Sequence, residues 1–478
     1  MTRTIGASRV ATLVGDFDRS PAYAGLADAL TLLIGDGRIA LDTRLPSERE
    51  LTDALGVSRT TVTRAYAALS EAGYAEARRG AGTFTRVPGG RTRAHDRALL
   101  PRAGDSDAID LNCAAPSAPP ALAKAYADAA GDLPAYLGGH GYFPAGLPQL
   151  QQAIAASYDE RGLPTSPDQI MVTPGALTAA SIVAQALTRP GDRVLVESPV
   201  YPNATDALRH GGARLTPSPV DPEGWDLDAV AAVLRQTSPK LAYLIPDFQN
   251  PTGHLMTDAQ REEYAAHLRR AHTTAIVDEA HQALPLDGQE MPRPFAAYSP
   301  DTITLGSASK SFWGGLRLGW IRAPHSLMEQ LTQARISMDL GAPVMEQLVL
   351  VRLLADADAI LAENRLRLRE QRDALVAAVR EHLPEWTFVV PTGGLALWCR
   401  LPGPHGTAIT AEAERRGVII APGPVFAAEG GLDTFVRIPW TKPADQLTDA
   451  VRRIADAWSV VRDQPGRATA VSGRVMVA

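Results

Sequence analysis

Between residues 109 and 462 the chain repeatedly sets short apolar strands between longer helical stretches. The strands read at 169–173, 193–197, 240–245, 274–278 and 302–305. That alternation leaves little freedom in the fold. Strands separated by a helix pair in parallel, and the crossover helices cover both faces of the sheet. An α/β domain is therefore expected. Its last part, about 360–462, changes to a long helix rich in Arg, Glu and Ala followed by short strands at 387–390 and 395–400. This part reads as a smaller C-terminal α+β lobe.

A chain of 478 residues exceeds one ordinary domain of ~100–200 residues, and the segment ahead of residue 109 lacks the alternation. After a polar leader, residues 21–34 read as a helix with Leu26, Leu30 and Leu33 on one stripe, ended by Gly35-Asp36-Gly37. Ser47 and Glu50 have capping-box spacing and open a short helix through Leu55. Gly56-Val57 makes a turn, and Ser58 caps a third helix to about Ala72. On that helix Val62, Tyr66 and Leu69 face inward, whereas Arg59, Thr60, Thr63 and Arg64 form the outer face. A hairpin at 74–85 follows, with Arg78-Arg79-Gly80-Ala81-Gly82 at its tip. Residues 20–87 are thus expected to form a small α+β helix-turn-helix head with a basic wing. Residues 88–108, rich in Pro, Gly and charge without a sustained period, read as a linker, 109–462 as the body and 463–478 as a disordered tail.

Charge divides along the same boundary. The whole chain carries −6, yet residues 1–95 hold 13 Arg, no Lys and 10 acidic residues, so the front is basic and the rest acidic. A small polyanion-binding head on an acidic body fits that split. No apolar run approaches the ~18 residues of a membrane span, and no signal-peptide core follows the first residues, so a cytoplasmic protein is expected. Cys113 and Cys399 are far apart and outside any CxxC pair, so neither a disulfide framework nor a metal site is expected.

A helix-turn-helix with a wing places its second helix in the major groove, where long donors reach base edges and hydroxyls reach phosphate. Arg59, Thr60, Thr63 and Arg64 have that chemistry, although periodicity alone is equally satisfied by a packing module with solvated charges. The stretch LPSERELTDALGVSRTTVTRAYAALSEAGYAEARRGAGTF closely resembles the winged helix-turn-helix of GntR-type regulators, with the LPSxR and SRxTV elements intact. The resemblance implies that Arg49, Ser58, Arg59, Thr60 and Gly80 approach double-stranded DNA.

Five separated elements of the body have ligand-binding chemistry together, although each alone has an ordinary structural reading. Lys310 lies just after a strand in GSASKSF, among small hydroxyl residues. Asp278 ends the apolar strand TTAIVD, and a carboxylate at the C-terminal end of a parallel strand faces the crevice where ligands bind. Asn250 lies in DFQNPTG; Thr173-Pro174-Gly175 leads from a strand into a helix whose N-H groups can hold a phosphate; Arg317 adds a second positive charge.

In chain order these elements resemble fold-type I enzymes that use pyridoxal 5′-phosphate, the aspartate aminotransferase class, over roughly residues 110–460. The resemblance implies that Lys310, the catalytic residue, condenses with the cofactor aldehyde, that Asp278 pairs with the ring nitrogen, and that Asn250 donates to the ring hydroxyl. It implies that Tyr201 stacks on the ring and that Gly175, Ala176, Leu177, Ser307, Ser309 and Arg317 hold the phosphate. Arg437, in FVRIPW, would grip a ligand carboxylate through its planar fork. Tyr142 matches a tyrosine that reaches the phosphate of a neighbouring subunit, which implies a homodimer. Two positions depart from the pattern. His281 stands where the class has a ring-hydroxyl tyrosine, and can make that bond with a different charge and pKa. Pro202-Asn203 follows Tyr201 where some regulators carry arginine, which argues against a second acidic group on the ligand.

A GntR-type head on an aminotransferase-like body is the architecture of MocR-type transcriptional regulators, which the chain resembles from about residue 20 to 460. The implied function is pyridoxal-phosphate-dependent regulation, with the body sensing an amine, an amino acid or the cofactor. A primary amine would displace Lys310, and differential binding to two body conformations would re-space the heads. Two alternatives stay open: a working aminotransferase with an accessory head, and a DNA-binding protein whose body only dimerises.

Overall fold

The computed structural model describes residues 3–35, 39, 43–78, 80–86, 108–221, 224–428 and 431–463. Apart from residues 108 and 463, the expected linker and tail lie outside the described residues, as do Asp36, Gly37 and the wing residue Arg79.

The head runs through β1 (Arg3–Thr4), α1 (Ala7–Val14), α2 (Ala22–Gly35), β2 (Thr43–Arg44), α3 (Glu48–Leu55), α4 (Arg59–Glu71), β3 (Ala75–Arg78) and β4 (Gly82–Thr85). Its strands join in the order β1-β2-β4-β3. The stripe read from the sequence is the core: Leu26, Leu30 and Leu33 of α2 pack with Leu51 of α3 and Val62, Tyr66 and Leu69 of α4. Each fully buried leucine there contributes ~1.5–3 kcal/mol. α3 starts in a complete capping box, Ser47 accepting from the Glu50 N-H while the Glu50 carboxylate accepts the Ser47 N-H at 2.8 Å. It stops at Gly56, whose φ of +61° is the left-handed conformation glycine adopts without strain. Ser58 then caps α4, accepting from the Thr61 N-H at 3.1 Å.

The leader is not irregular. Residues 7–14 form α1, which buries Val10 and Val14 in the head core, and β1 pairs in parallel with β2. A helix of two turns holds too few periods to stand out from a polar background. The head core thus recruits chain ahead of residue 20.

The body strands are β5 (Ile109–Asp110), β6 (Ile170–Thr173), β7 (Arg193–Ser198), β8 (Arg214–Asp221), β9 (Gly224–Trp225), β10 (Leu241–Leu244), β11 (Thr274–Asp278), β12 (Ile303–Ser307), β13 (Gly319–Arg322), β14 (Ala396–Arg400), β15 (Val418–Ile419), β16 (Ala421–Pro422) and β17 (Phe435–Pro439). The main sheet has the order β6-β13-β12-β11-β10-β7-β8-β9. Helices cover both faces: Ala176–Leu187 and His325–Ile336 pack on one, Leu227–Thr237 and Asp258–Arg270 on the other. A smaller lobe joins β14-β17-β16 to the long helix Ala357–His382 and to Ala444–Val461. No helix among the described residues is long and apolar enough to cross a membrane.

Two strand expectations change, and one strand was not expected. The sheet is not wholly parallel, because β13 runs antiparallel to β12 and β6. Residues 387–390 form no strand, only a single bridge from Thr387 to Arg400. β8 carries Pro217 and Pro219, which disguise a strand in sequence. The two prolines share parity, so their missing donors fall on one edge, and only the two residues of β9 continue the sheet there.

Candidate cofactor site and DNA-facing surface

β6, β7, β10, β11 and β12 run in one direction, so Thr173, Ser198, Leu244, Asp278 and Ser307 end at the same edge of the sheet. Five of the sequence elements are delivered there by topology alone.

Asp278 is buried. The Tyr243 hydroxyl donates to Oδ2 at 2.6 Å and the Ala280 N-H donates to Oδ1 at 2.9 Å. Burial pushes its carboxyl upward, while these hydrogen bonds and the Lys310 charge oppose that push. Lys310 sits in the one-turn helix Ala308–Ser311, whose first turn is capped by the buried Ser307 hydroxyl accepting from the Ser309 N-H at 3.2 Å. Burial, with help from Arg437 and Arg317, brings its amine down to about 8, against the pull of Cys113 and Asp278. A lysine in that range holds a useful fraction of neutral, nucleophilic amine near neutrality.

Gly175 opens the helix Ala176–Leu187 at φ +95°, and no side chain caps that end. Its first N-H groups therefore carry the positive end of the helix dipole to the sheet edge, the arrangement that binds phosphate. The guanidinium of Arg317 stands beside it: a Cβ on Gly175 would lie 3.0 Å from Arg317 Nη2. Gly319 is as tightly placed, since a Cβ there would lie 2.6 Å from the Ala176 nitrogen. Half-buried Ser309 and exposed Leu177 flank the same region.

Arg437 is fully buried in β17. It donates through Nη1 to Asn250 Oδ1 at 3.1 Å and through Nη2 to the Asn112 carbonyl, lies over the Phe426 ring, and leaves Nε without a partner. Burial pushes it down to about 10, and among the described residues no carboxylate pairs with it. Such a guanidinium is an anion site by its electrostatics. Tyr201 is half-buried, its hydroxyl accepting from Asn203 Nδ2 at 2.9 Å, and burial raises its phenol to about 12. His281 is buried with Nδ1 3.2 Å from the Phe248 carbonyl, and burial together with Lys310 drives its pKa down to about 3. The charge that sequence leaves open is thereby assigned: a neutral imidazole. Tyr142 stands apart from this group, 57% exposed with its ring stacked on His140.

Three site residues escape the sequence reading. Tyr243 is one apolar-strand residue among several. Glu197 accepts from Trp225 Nε1 at 2.7 Å, the Ile245 N-H at 3.2 Å and Gln249 Nε2 at 3.1 Å. Gln249 also donates to the Pro199 carbonyl at 2.8 Å, so the pair ties the Tyr201 loop to the Asn250 loop. With no cation paired to it among the described residues, burial pushes Glu197 up to about 7. The available signal was the lone acid inside RVLVES, since charges inside buried strands are rare.

On the head, Arg49, Ser58, Arg59, Thr60, Thr63, Arg64 and Gly80 are all exposed, with Gly80 at φ +75° in the hairpin tip. Besides Ser58, which caps the helix, three of the side chains are held by neighbours. Glu48 accepts from Arg59 Nε at 3.4 Å and from the Thr63 hydroxyl at 2.9 Å, and the Arg64 guanidinium stacks 3.8 Å above the Tyr23 ring.

Residues 110–454 match the family described as aminotransferase class I and II, and residues 22–85 match the bacterial regulatory proteins of the gntR family. The chain is 30% identical over 446 residues to the uncharacterized HTH-type transcriptional regulator YdcR of Escherichia coli strain K12, covering 87% of this chain and 94% of that one. It is 29% identical over 401 residues to the probable rhizopine catabolism regulatory protein MocR of Rhizobium meliloti, covering 77% and 79%. The crystal structure of LysN, the α-aminoadipate aminotransferase of Thermus thermophilus complexed with N-(5′-phosphopyridoxyl)-L-leucine, superposes with a TM-score of 0.69 at 27% identity, covering 76% of this chain and 96% of that one. The chain therefore belongs to the aminotransferase class I and II family. With the gntR-family domain in front, it has the architecture of the MocR-type transcriptional regulators.

Proposed function

We propose that the protein is a pyridoxal-phosphate-dependent DNA-binding regulator whose body senses an amine, an amino acid or the cofactor itself. The observation that carries this reading is one chain holding both an exposed, capped helix bearing Arg59, Thr60 and Thr63 and an amine–carboxylate set of half-buried Lys310 and buried Asp278. The donor set fits the cofactor: an amine near 8, a buried carboxylate fixed by two hydrogen bonds, an uncapped helix start beside Arg317, and a buried arginine with an unpartnered Nε.

When bound, the cofactor supplies an aldehyde that captures primary amines and an electron-withdrawing ring. In this reading Lys310 would be the amine that holds the cofactor through its aldehyde carbon. Tyr243 and the Ala280 N-H hold the Asp278 carboxylate in place, where it would keep a proton on the ring nitrogen, and Tyr201 would supply a face for the ring. The Gly175-Ala176-Leu177 amides, Ser307, Ser309 and Arg317 hold the phosphate. Asn250 donates to the ring oxygen through Nδ2, because Arg437 already occupies its Oδ1. Arg437 Nε remains for the ligand carboxylate.

Exposed Tyr142 reaches a second copy, making the working unit a homodimer in the cytoplasm that presents two heads to double-stranded DNA. Residues 20–87 serve as the core of the DNA-binding unit and 109–462 as the sensor. The test is to add pyridoxal phosphate to wild type and Lys310→Ala and reduce with borohydride. Covalent attachment in wild type only supports the reading, and attachment in the variant refutes the role of Lys310. A second reading, a working aminotransferase with an accessory head, is favoured by the completeness of the Lys310, Asp278 and Arg437 set; turnover of amino acid and keto acid at ordinary enzymatic rates would establish it.

A further inference from the structure

His281 lies three residues beyond the end of β11 and is 6% exposed. Its Nδ1 is 3.2 Å from the carbonyl oxygen of Phe248. A carbonyl only accepts, so the Nδ1 atom carries the proton. The ring has no second proton: Lys310 and Arg437, the charged groups that act on it, are both positive, and with burial they keep it neutral. Nε2 is therefore a bare lone pair. It is buried and has no hydrogen-bond partner among the described residues.

His281 lines a small cavity with Ala114, Phe248, Asn250, Leu395 and Ala396. Asn250 is polarised the other way. Arg437 donates to its Oδ1, which leaves Nδ2 to offer as a donor. Among the residues that line this cavity, His281 thus has an acceptor to offer and Asn250 a donor. A hydroxyl matches both, since it donates one hydrogen bond and accepts others. An oxyanion matches only Asn250 and would set its lone pairs against those of Nε2.

We infer that His281 is a specificity-determining residue that takes a hydrogen bond from the bound molecule through Nε2, and so selects the ring oxygen of the cofactor as a hydroxyl rather than as a phenolate. The inference rests on the pyridoxal phosphate reading. A tyrosine at the same place would reverse the preference, because a phenol donates to a phenolate.

The experiment has two arms, both on the full-length protein. In the first, the protein is labelled with ¹⁵N-histidine, left without cofactor and compared by NMR with His281→Phe to assign the ring. A protonated Nδ1 and an unprotonated Nε2 that persist through neutral pH are expected, and a protonated Nε2 would overturn the inference. In the second, wild type, His281→Phe and His281→Gln are loaded with pyridoxal phosphate. The ratio of visible absorbance, from the phenolate form, to near-ultraviolet absorbance, from the hydroxyl form, is then read. Loss of one hydrogen bond to the hydroxyl raises that ratio about fivefold in His281→Phe. His281→Gln, whose side-chain oxygen can accept, stays within about twofold of wild type. An unchanged ratio in a His281→Phe protein that binds cofactor would refute the inference. If wild type takes up no cofactor, the cofactor reading and the ring-hydroxyl assignment fall together, while the first arm still decides the tautomer.

Discussion

Arg437→Met removes a guanidinium that is fully buried, bonded to two neutral oxygens and unpaired with any carboxylate among the described residues. Burial lowers its pKa from 12.5 to about 10, so holding the charge inside costs roughly 3 kcal/mol. Against this, the variant strands Asn250 Oδ1 and the Asn112 carbonyl, a loss of roughly 1–1.5 kcal/mol each. The two effects nearly cancel. The ligand-free variant should unfold within about 1 kcal/mol of wild type, in contrast to the ~3–5 kcal/mol lost when a buried ion pair is broken. An amino acid at a hundred times its Kd should stabilise wild type by ~2.7 kcal/mol and the variant hardly at all. Urea unfolding followed by tryptophan fluorescence suits the measurement, because all seven tryptophans lie in the body and the head is silent. A ligand-free loss above about 3 kcal/mol would mean that Arg437 has a structural counter-charge. Full retention of the ligand effect would remove it from the carboxylate site.

Arg59→Ala should weaken binding to selected DNA by ~1–3 kcal/mol, read by fluorescence anisotropy; unchanged affinity would place Arg59 off the DNA. Tyr243→Phe takes one of the two donors from Asp278 and should lower cofactor affinity about tenfold in equilibrium dialysis without unfolding the body. Equal affinity would make Tyr243 a packing residue only. Glu197 gives a pH test. Its folded pKa is raised from 4.5 to about 7, so its contribution to stability is complete below 4.5 and is lost as pH rises through about 7. The uncharged isostere Glu197→Gln should therefore be more stable than wild type above pH 7 and converge on it below pH 4.5, as read from urea midpoints. A constant difference across that window would show that Glu197 does not titrate there.

The head was legible because its information is local. Ser47 with Glu50, Gly56 and Ser58 specify helix ends within a few residues, and the observed helices α3 and α4 follow them. α1 was lost for the same reason in reverse, since eight residues carry too little period. In the body, strands flanked by clear breakers were readable, while β8 was hidden by prolines tolerated near a sheet edge. The sequence elements carrying Gly175, Asn250, Asp278 and Lys310 could be found because residue type and local turn chemistry mark them. Tyr243 and Glu197 could not, because a phenol or carboxylate on a buried strand shows its role only when a partner strand delivers Asp278 or Gln249 to it. The polarity of His281 likewise depends on Phe248, which lies 33 residues away in sequence.

The central claim is that ligand binding in the body changes DNA binding by the head. The direct measurement is the affinity of the cofactor-loaded protein for DNA fragments it selects from a random-sequence pool, with and without each of the common L-amino acids and simple amines. At least one compound that alters the cofactor spectrum should change DNA affinity by about fivefold or more in wild type and not in Lys310→Ala. DNA affinity indifferent to every compound that alters the spectrum would contradict it.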